Sequence, residues 1–176
     1  MPTLLAPSLS PPAAARRRAA WPWVATVLRI GLGVVAIAAG ASKIGDIPAS
    51  VRAVRAYELL PEPLAVAAGS ALPFVEIVLG ALLVTGLLTR WAALGFGLLL
   101  VAFAVGIASA WARGLAIDCG CFGGGGAIDP DQTQYLVDLL RDVALIAVAA
   151  VLVRHPRSRL SLDSALDLEP VRKELN

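Results

Sequence analysis

An all-α bundle of four membrane-spanning helices is the fold class that three features of the sequence predict. Four apolar runs lie at residues 21–41, about 64–88, about 91–112 and about 134–153, each near the ~20 residues a helix needs to cross the hydrocarbon layer. The mean hydropathy is +0.77 and 16% of residues are charged, where a soluble domain carries about 25%. Trp21, Trp23, Trp91, Trp111 and Tyr135 fall at the ends of the runs, the level at which amphipathic rings settle. The net charge of +2, carried by scattered basic residues, gives no face for nucleic acid.

Residues 1–20 are rich in Pro and Ala and end in Arg16-Arg17-Arg18, the composition of a disordered basic tail. The first span, 21–41, has an apolar core near 20 residues and carries Arg29. Its length exceeds the ~7–15 residues of a signal-peptide core, so it is read as a retained span. The loop at 42–63 opens "SKIGDIP" and holds Pro48 and Pro61 as bounds of a short helix with alternating basic and apolar residues. Such a helix suits a connector over the bundle top, or one lying in the membrane interface. Spans two and three are joined by a short turn at 88–91, and the loop 113–133 precedes the fourth span. The domain proper is thus 21–155, followed by a polar tail at 156–176 with no assigned role.

Four spans put both termini on one side. That side carries Arg16, Arg17, Arg18, Arg90, Arg154, Arg157 and Arg159, and the other Lys43, Arg52, Arg55 and Arg113. Seven against four places both termini in the cytoplasm. The loop 113–133 then faces outward, into a compartment where disulfides persist.

That loop contains both cysteines, in "DCGCFGGGG" at 118–126. An extended C-x-C places its α-carbons near ~7 Å, beyond the usual ~5.5–6 Å of a disulfide. Gly120 permits the turn that would close it. A tight, exposed Cys119–Cys121 bridge would be of the labile, exchanging kind. A static brace, free thiols, or two ligands of a soft metal are the other readings. The metal lacks further ligands, because the single histidine, His155, falls on the opposite side. Gly123–Gly126 would give the loop freedom to move, and no strand, helix and lysine accompany them to cradle a phosphate.

Five ionisable residues fall inside the spans: Arg29, Glu76, Asp138, Arg141 and Asp142. Each needs a partner or a purpose in lipid. Arg29 lies 13 residues and Glu76 12 residues from the expected outer ends of their spans, depths of ~19 and ~18 Å, so the two are expected to pair. Asp138, Arg141 and Asp142 share one helix face, beneath the cysteine loop. They glue the bundle or form a polar pocket under the thiols. Lys43 and Arg113 are the outer cations best placed to favour a thiolate, and Asp118 would oppose it. Several glycines suit close helix approach. Pro73 would interrupt the hydrogen-bond ladder near Glu76.

Taken in order, "LRIGLGVVAIAAGASKI" (28–44), "YELLP" (57–61), "LPFVEIVLGALLVTGL" (72–87), "CGCFG" (119–123) and "LLRDVAL" (139–145) resemble the MauE branch of the DoxX-like four-helix membrane proteins. The resemblance spans roughly residues 25–153, and "CGCFG" is its most specific part. It implies a bacterial plasma-membrane protein linked to methylamine utilisation and to maturation of the disulfide-rich methylamine dehydrogenase. Cys119 and Cys121 match its cysteine motif. Arg29, Ser42 and Lys43 match its first-helix pattern, and Glu76 and Arg141 its later polar positions.

The sequence thus leads to a multi-pass protein of extracytoplasmic thiol–disulfide handling, with Cys119 and Cys121 exchanging with a thioredoxin-fold protein or a disulfide-rich client. The alternative is a non-catalytic scaffold or assembly factor whose loop disulfide is a brace. Vitamin K epoxide reductase-like enzymes have a C-x-x-C and a second cysteine pair, and this chain has neither. No cofactor is evident; a quinone acceptor is compatible with the arrangement, but no residue supports it.

Overall fold

The computed structural model describes residues 13–156, 158 and 161–165. In chain order the elements are α1 (Ala13–Ile44), α2 (Ile47–Ala56), α3 (Glu62–Thr85), α4 (Thr89–Ala112), β1 (Ile117–Asp118), β2 (Gly126–Ala127), α5 (Tyr135–Arg154) and α6 (Leu162–Ala165). The long helices α1, α3, α4 and α5 form the expected bundle. Trp21–Ile44, α3 and α4 are each long and apolar enough to cross a membrane. At 20 residues α5 is shorter but reaches the ~20 needed to cross, and Asp138, Arg141 and Asp142 occupy its first turns. Apolar side chains on every long helix stay exposed, among them Val27, Val34, Val78, Leu98, Val105 and Val143. With no water-facing role, these are the lipid-facing sides of the bundle.

α1 begins at Ala13, eight residues before the expected start of the span, so Arg16–Arg18 fall within its first turns and Pro22 within the helix. Residues 1–12 lie outside the described residues.

The helices pair through glycine. A Cβ added at Gly33 would come within 2.8 Å of the Gly80 carbonyl oxygen, and one at Gly40 within 2.5 Å of the Pro73 carbonyl oxygen. These contacts set the antiparallel register of α1 on α3, in which Arg29 falls opposite Val84. Leu32, Leu83, Phe96, Leu100 and Leu152 close the core at this level.

α2 is the short helix expected between Pro48 and Pro61. Asp46 caps it by accepting a hydrogen bond from the Ala49 amide at 2.9 Å, and Pro48 sits in its first turn. The first two turns of α3 lie against α2. A Cβ at Gly69 would meet the Val51 backbone at 2.6 Å. Ser50 Oγ donates to the Gly69 carbonyl at 2.8 Å. That carbonyl is the one a residue at position 73 would normally engage, and Pro73 has no N–H to offer it. The interruption expected near Glu76 is therefore repaired by a side chain from α2.

At the other end, α3 stops at Gly86, which adopts φ +71°, a left-handed cap that glycine accepts freely. Leu88 begins α4 without a capping side chain of its own. The cap comes from the polar tail: Asp163 accepts from the Leu88 amide at 2.7 Å and from the Thr89 amide at 2.9 Å. Its own amide donates to the Gly86 carbonyl at 3.0 Å.

Candidate functional site

β1 and β2 pair antiparallel, Ile117 with Ala127 and Asp118 with Gly126. They hold residues 119–125 as a cap folded down over the bundle end. Tyr135, at the start of α5, fixes the base of the cap: its hydroxyl accepts from the Ile117 amide at 3.0 Å and donates to the Leu115 carbonyl. Asp118 closes the loop on itself by accepting from the amides of Gly120 at 3.2 Å and Gly125 at 3.3 Å. Its carboxylate is thereby turned to the loop backbone, not set against the neighbouring thiol as expected.

Two of the loop glycines, Gly120 and Gly125, serve close contact. A Cβ at Gly125, where φ is +90°, would come within 2.3 Å of Ala53 Cβ, and one at Gly120 within 2.7 Å. The loop is thus seated on α2 at a distance that only glycine permits.

Side chains from below grip both cysteine carbonyls. Lys43 Nζ donates to the Cys121 carbonyl at 2.7 Å, and the Tyr57 hydroxyl to the Cys119 carbonyl at 3.1 Å. Burial, with the cysteines and Asp138 and Asp142 nearby, pushes the Tyr57 phenol up, so it stays a donor. The expectation of an openly displayed pair is corrected accordingly. Cys121 is 8% exposed and Cys119 is half-buried, because the glycines that read as slack let the loop pack inward. Both sulfurs are free thiols in the structure, not a bridge.

The two thiols are unequal. Cys119 Sγ accepts from the Cys121 amide at 3.5 Å and from Arg141 Nη2 at 3.9 Å. The Cys121 thiol, its own amide and Arg141 together hold the Cys119 thiol below its ordinary range, against the opposing effect of burial. Cys121 is pushed the other way, by its bond to Cys119, by burial and by the neighbouring negative charge.

Arg141 is the cation at the sulfur, supplied by the charge cluster of α5 and not by Lys43 or Arg113. It bonds Asp138 at 3.1 Å and Asp142 at 3.2 Å, and its guanidinium lies 5.1 Å from the centre of the Phe122 ring, which covers it. Arg113 instead donates to the Tyr57 carbonyl and lies 3.9 Å from Glu58.

Lys43 is committed to Glu76. Its ammonium donates to both carboxylate oxygens at 2.8 Å, with the two side chains 3% and 1% exposed. This corrects the expected Arg29–Glu76 pair. Arg29 instead donates to the Val84 carbonyl at 3.0 Å and to that of Leu83. Depth counted from span ends failed because α2 lifts the start of α3 past the end of α1, by about two turns or ~10 Å. Lys43 reaches Glu76 because helical side chains lean toward the N-terminus, which brings its stem down beside Gly40.

Beneath the cap is a narrow cavity lined by Cys121, Phe122, Glu76, Arg141 and Asp142, with apolar walls from α1 and α4. About 20 Å³ of it is open to the centre of a water molecule, room for about one water. Among the described residues no group of three His, Cys, Asp or Glu is placed to hold a metal. Sequence reasoning missed Tyr57, Phe122 and Tyr135 as site residues. The first two lie in the quoted "YELLP" and "CGCFG" stretches, which was the available signal.

The family described as methylamine utilisation protein MauE matches residues 21–155. The methylamine utilization protein MauE of Paracoccus denitrificans is 34% identical over 129 residues, covering 73% of this chain and 67% of that protein. No solved structure matches.

Proposed function

This membrane protein belongs to the MauE family, and from that premise we propose that it is a methylamine-utilisation accessory protein that exchanges thiols with maturing proteins on the outer side of the plasma membrane. Both termini lie in the cytoplasm in this proposal, and the cap faces outward. The exchanging partner is a thioredoxin-fold protein or a disulfide-rich client such as methylamine dehydrogenase.

The inequality of the two thiols carries the proposal. Cys119 is the more open sulfur and has the Arg141 guanidinium and an amide directed at it, the setting that favours a thiolate. Cys121 lies buried beside it. Cys119 as thiolate attacks a partner disulfide and forms a mixed disulfide, and the departing partner sulfur takes a proton. Cys121 then loses its proton and attacks Cys119 Sγ. The Cys119–Cys121 bond forms, the mixed disulfide breaks, and the electron pair leaves on the second partner sulfur. Two electrons pass from the pair to the partner; the reverse sequence oxidises a dithiol client.

One observation favours the alternative of a scaffold. Lys43 and Tyr57 fasten the carbonyls of both cysteines, as a purely structural cap would require. Trapping separates the two. Cys121→Ser should accumulate a mixed disulfide through Cys119, and Cys119→Ser should capture little. If neither variant captures a partner and the double serine variant still supports client maturation, exchange is excluded and the scaffold stands.

A further inference from the structure

Asp142 is 1% exposed and lines the cavity with Cys121. Its Oδ1 accepts from Arg141 Nε and Nη2, both at 3.2 Å. Its Oδ2 is buried and has no hydrogen-bond partner among the described residues. A buried carboxylate oxygen left unpaired is costly, and the cavity that Asp142 lines has room for about one water. Glu76 and Arg141, the other charged residues of that cavity, are engaged with Lys43 and with Asp138, Asp142 and Cys119.

We propose that Asp142 Oδ2 accepts the Cys121 proton through one water in this cavity, as Cys121 closes onto Cys119. The inference rests on the thiol-exchange reading above and adds the group that step requires. A buried thiol is a poor nucleophile until its proton leaves, and the cap shields Cys121 from solvent. In the closing step the Cys121 S–H bond breaks and its proton passes through the water to Oδ2. The sulfur takes up the bond to Cys119 Sγ, and the partner sulfur departs with the electron pair and is protonated from solvent. Asp142 touches neither reacting sulfur, so it is a positioning and proton-accepting residue. Its Oδ1 contact also holds the guanidinium that faces Cys119, tying the two halves of the exchange together. The titratable and charged groups around it are Asp138 and Arg141 on α5, Glu76 on α3 with its partner Lys43 on α1, Tyr57 after α2, and the two cysteines.

The test uses the full reduced chain in lipid nanodiscs, with glutathione disulfide as the probe and quenched mass spectrometry as the readout. Glutathione addition reports Cys119; its later loss reports closure by Cys121. Asp142→Asn should slow closure by about 100-fold, the usual scale of general-base assistance, and by far more than it slows addition, so that the glutathione adduct accumulates. In the wild type, closure should rise with pH only until the local carboxylate is ionised and then level off below about pH 9, because that carboxylate and not hydroxide takes the proton. Closure unchanged in Asp142→Asn, or wild-type closure rising about tenfold per pH unit with no plateau between about pH 6 and pH 9, overturns the role of Asp142 while leaving thiol exchange intact. The pH series needs no variant, so it decides the matter even if Asp142→Asn fails to fold. A wild-type chain that takes up no glutathione at Cys119 overturns the exchange and the relay together.

Discussion

The two ends of the bundle use charge in different ways. At the α3–α4 turn, Arg29 and Asp163 spend their charges on backbone: Arg29 on the last carbonyls of α3, Asp163 on the first amides of α4. Both complement the dipoles of the helices they close. At the cap end the charges meet one another. Lys43 holds Glu76, and Arg141 holds Asp138 and Asp142. What is left over there reaches the cysteines: one Lys43 proton on the Cys121 carbonyl and one Arg141 nitrogen on Cys119 Sγ. One end closes helices; the other tunes a pair of sulfurs.

This contrast can be broken at each end. The largest loss of stability should come from Lys43→Met, which leaves Glu76 buried and unpaired. Removing one partner of a buried pair costs about 3–5 kcal/mol, read from SDS-induced unfolding of the solubilised chain. The double variant Lys43→Met with Glu76→Leu should recover most of that loss, since an apolar pair of similar volume is tolerated. No recovery would mean that the Cys121 carbonyl, not Glu76, depends on Lys43. Arg29→Met should cost about 2 kcal/mol, the scale of hydrogen bonds from a charged donor, in the same assay. Unlike Lys43→Met, it should leave the alkylation rate of Cys119 unchanged. The smallest effect belongs to Asp163→Ala, about 1 kcal/mol for a lost helix cap. An Asp163→Asn variant should retain part of it.

The helices were legible because apolar length is a local property, and α2 was legible from Asp46, Pro48 and Pro61. The Arg29–Glu76 error shows where locality ends. Register between α1 and α3 depends on Gly33, Gly40 and Gly80 meeting backbone and on α2 displacing the start of α3. Neither is visible in counts along one span. The cysteine pair was legible as a site, but its burial was not. Gly123–Gly126 has the composition of a mobile loop, and only the nearness of Ala53 to Gly125 and Gly120 shows that a missing side chain there makes room for contact. Asp163 sat in a polar tail without periodicity, and nothing nearby in sequence pointed to a helix start 75 residues away. The pairing of Arg141 with Asp138 and Asp142 could be read from their spacing, whereas its reach to Cys119 required the cap to fold down.

The direct test of an unequal, outward-facing pair is labelling of single-cysteine variants in intact, pre-reduced cells with a maleimide that cannot cross the bilayer. Cys119 alone, in Cys121→Ser, should label from outside. The amide at position 121 and Arg141 still face its sulfur in this variant, so it should label faster than the same variant carrying Arg141→Met, which lacks the cation that favours a thiolate. Cys121 alone, in Cys119→Ser, should label at least about tenfold more slowly, as a buried thiol with little thiolate does. Equal rates for the two, or no labelling of Cys119 until the cells are permeabilised, would contradict the account.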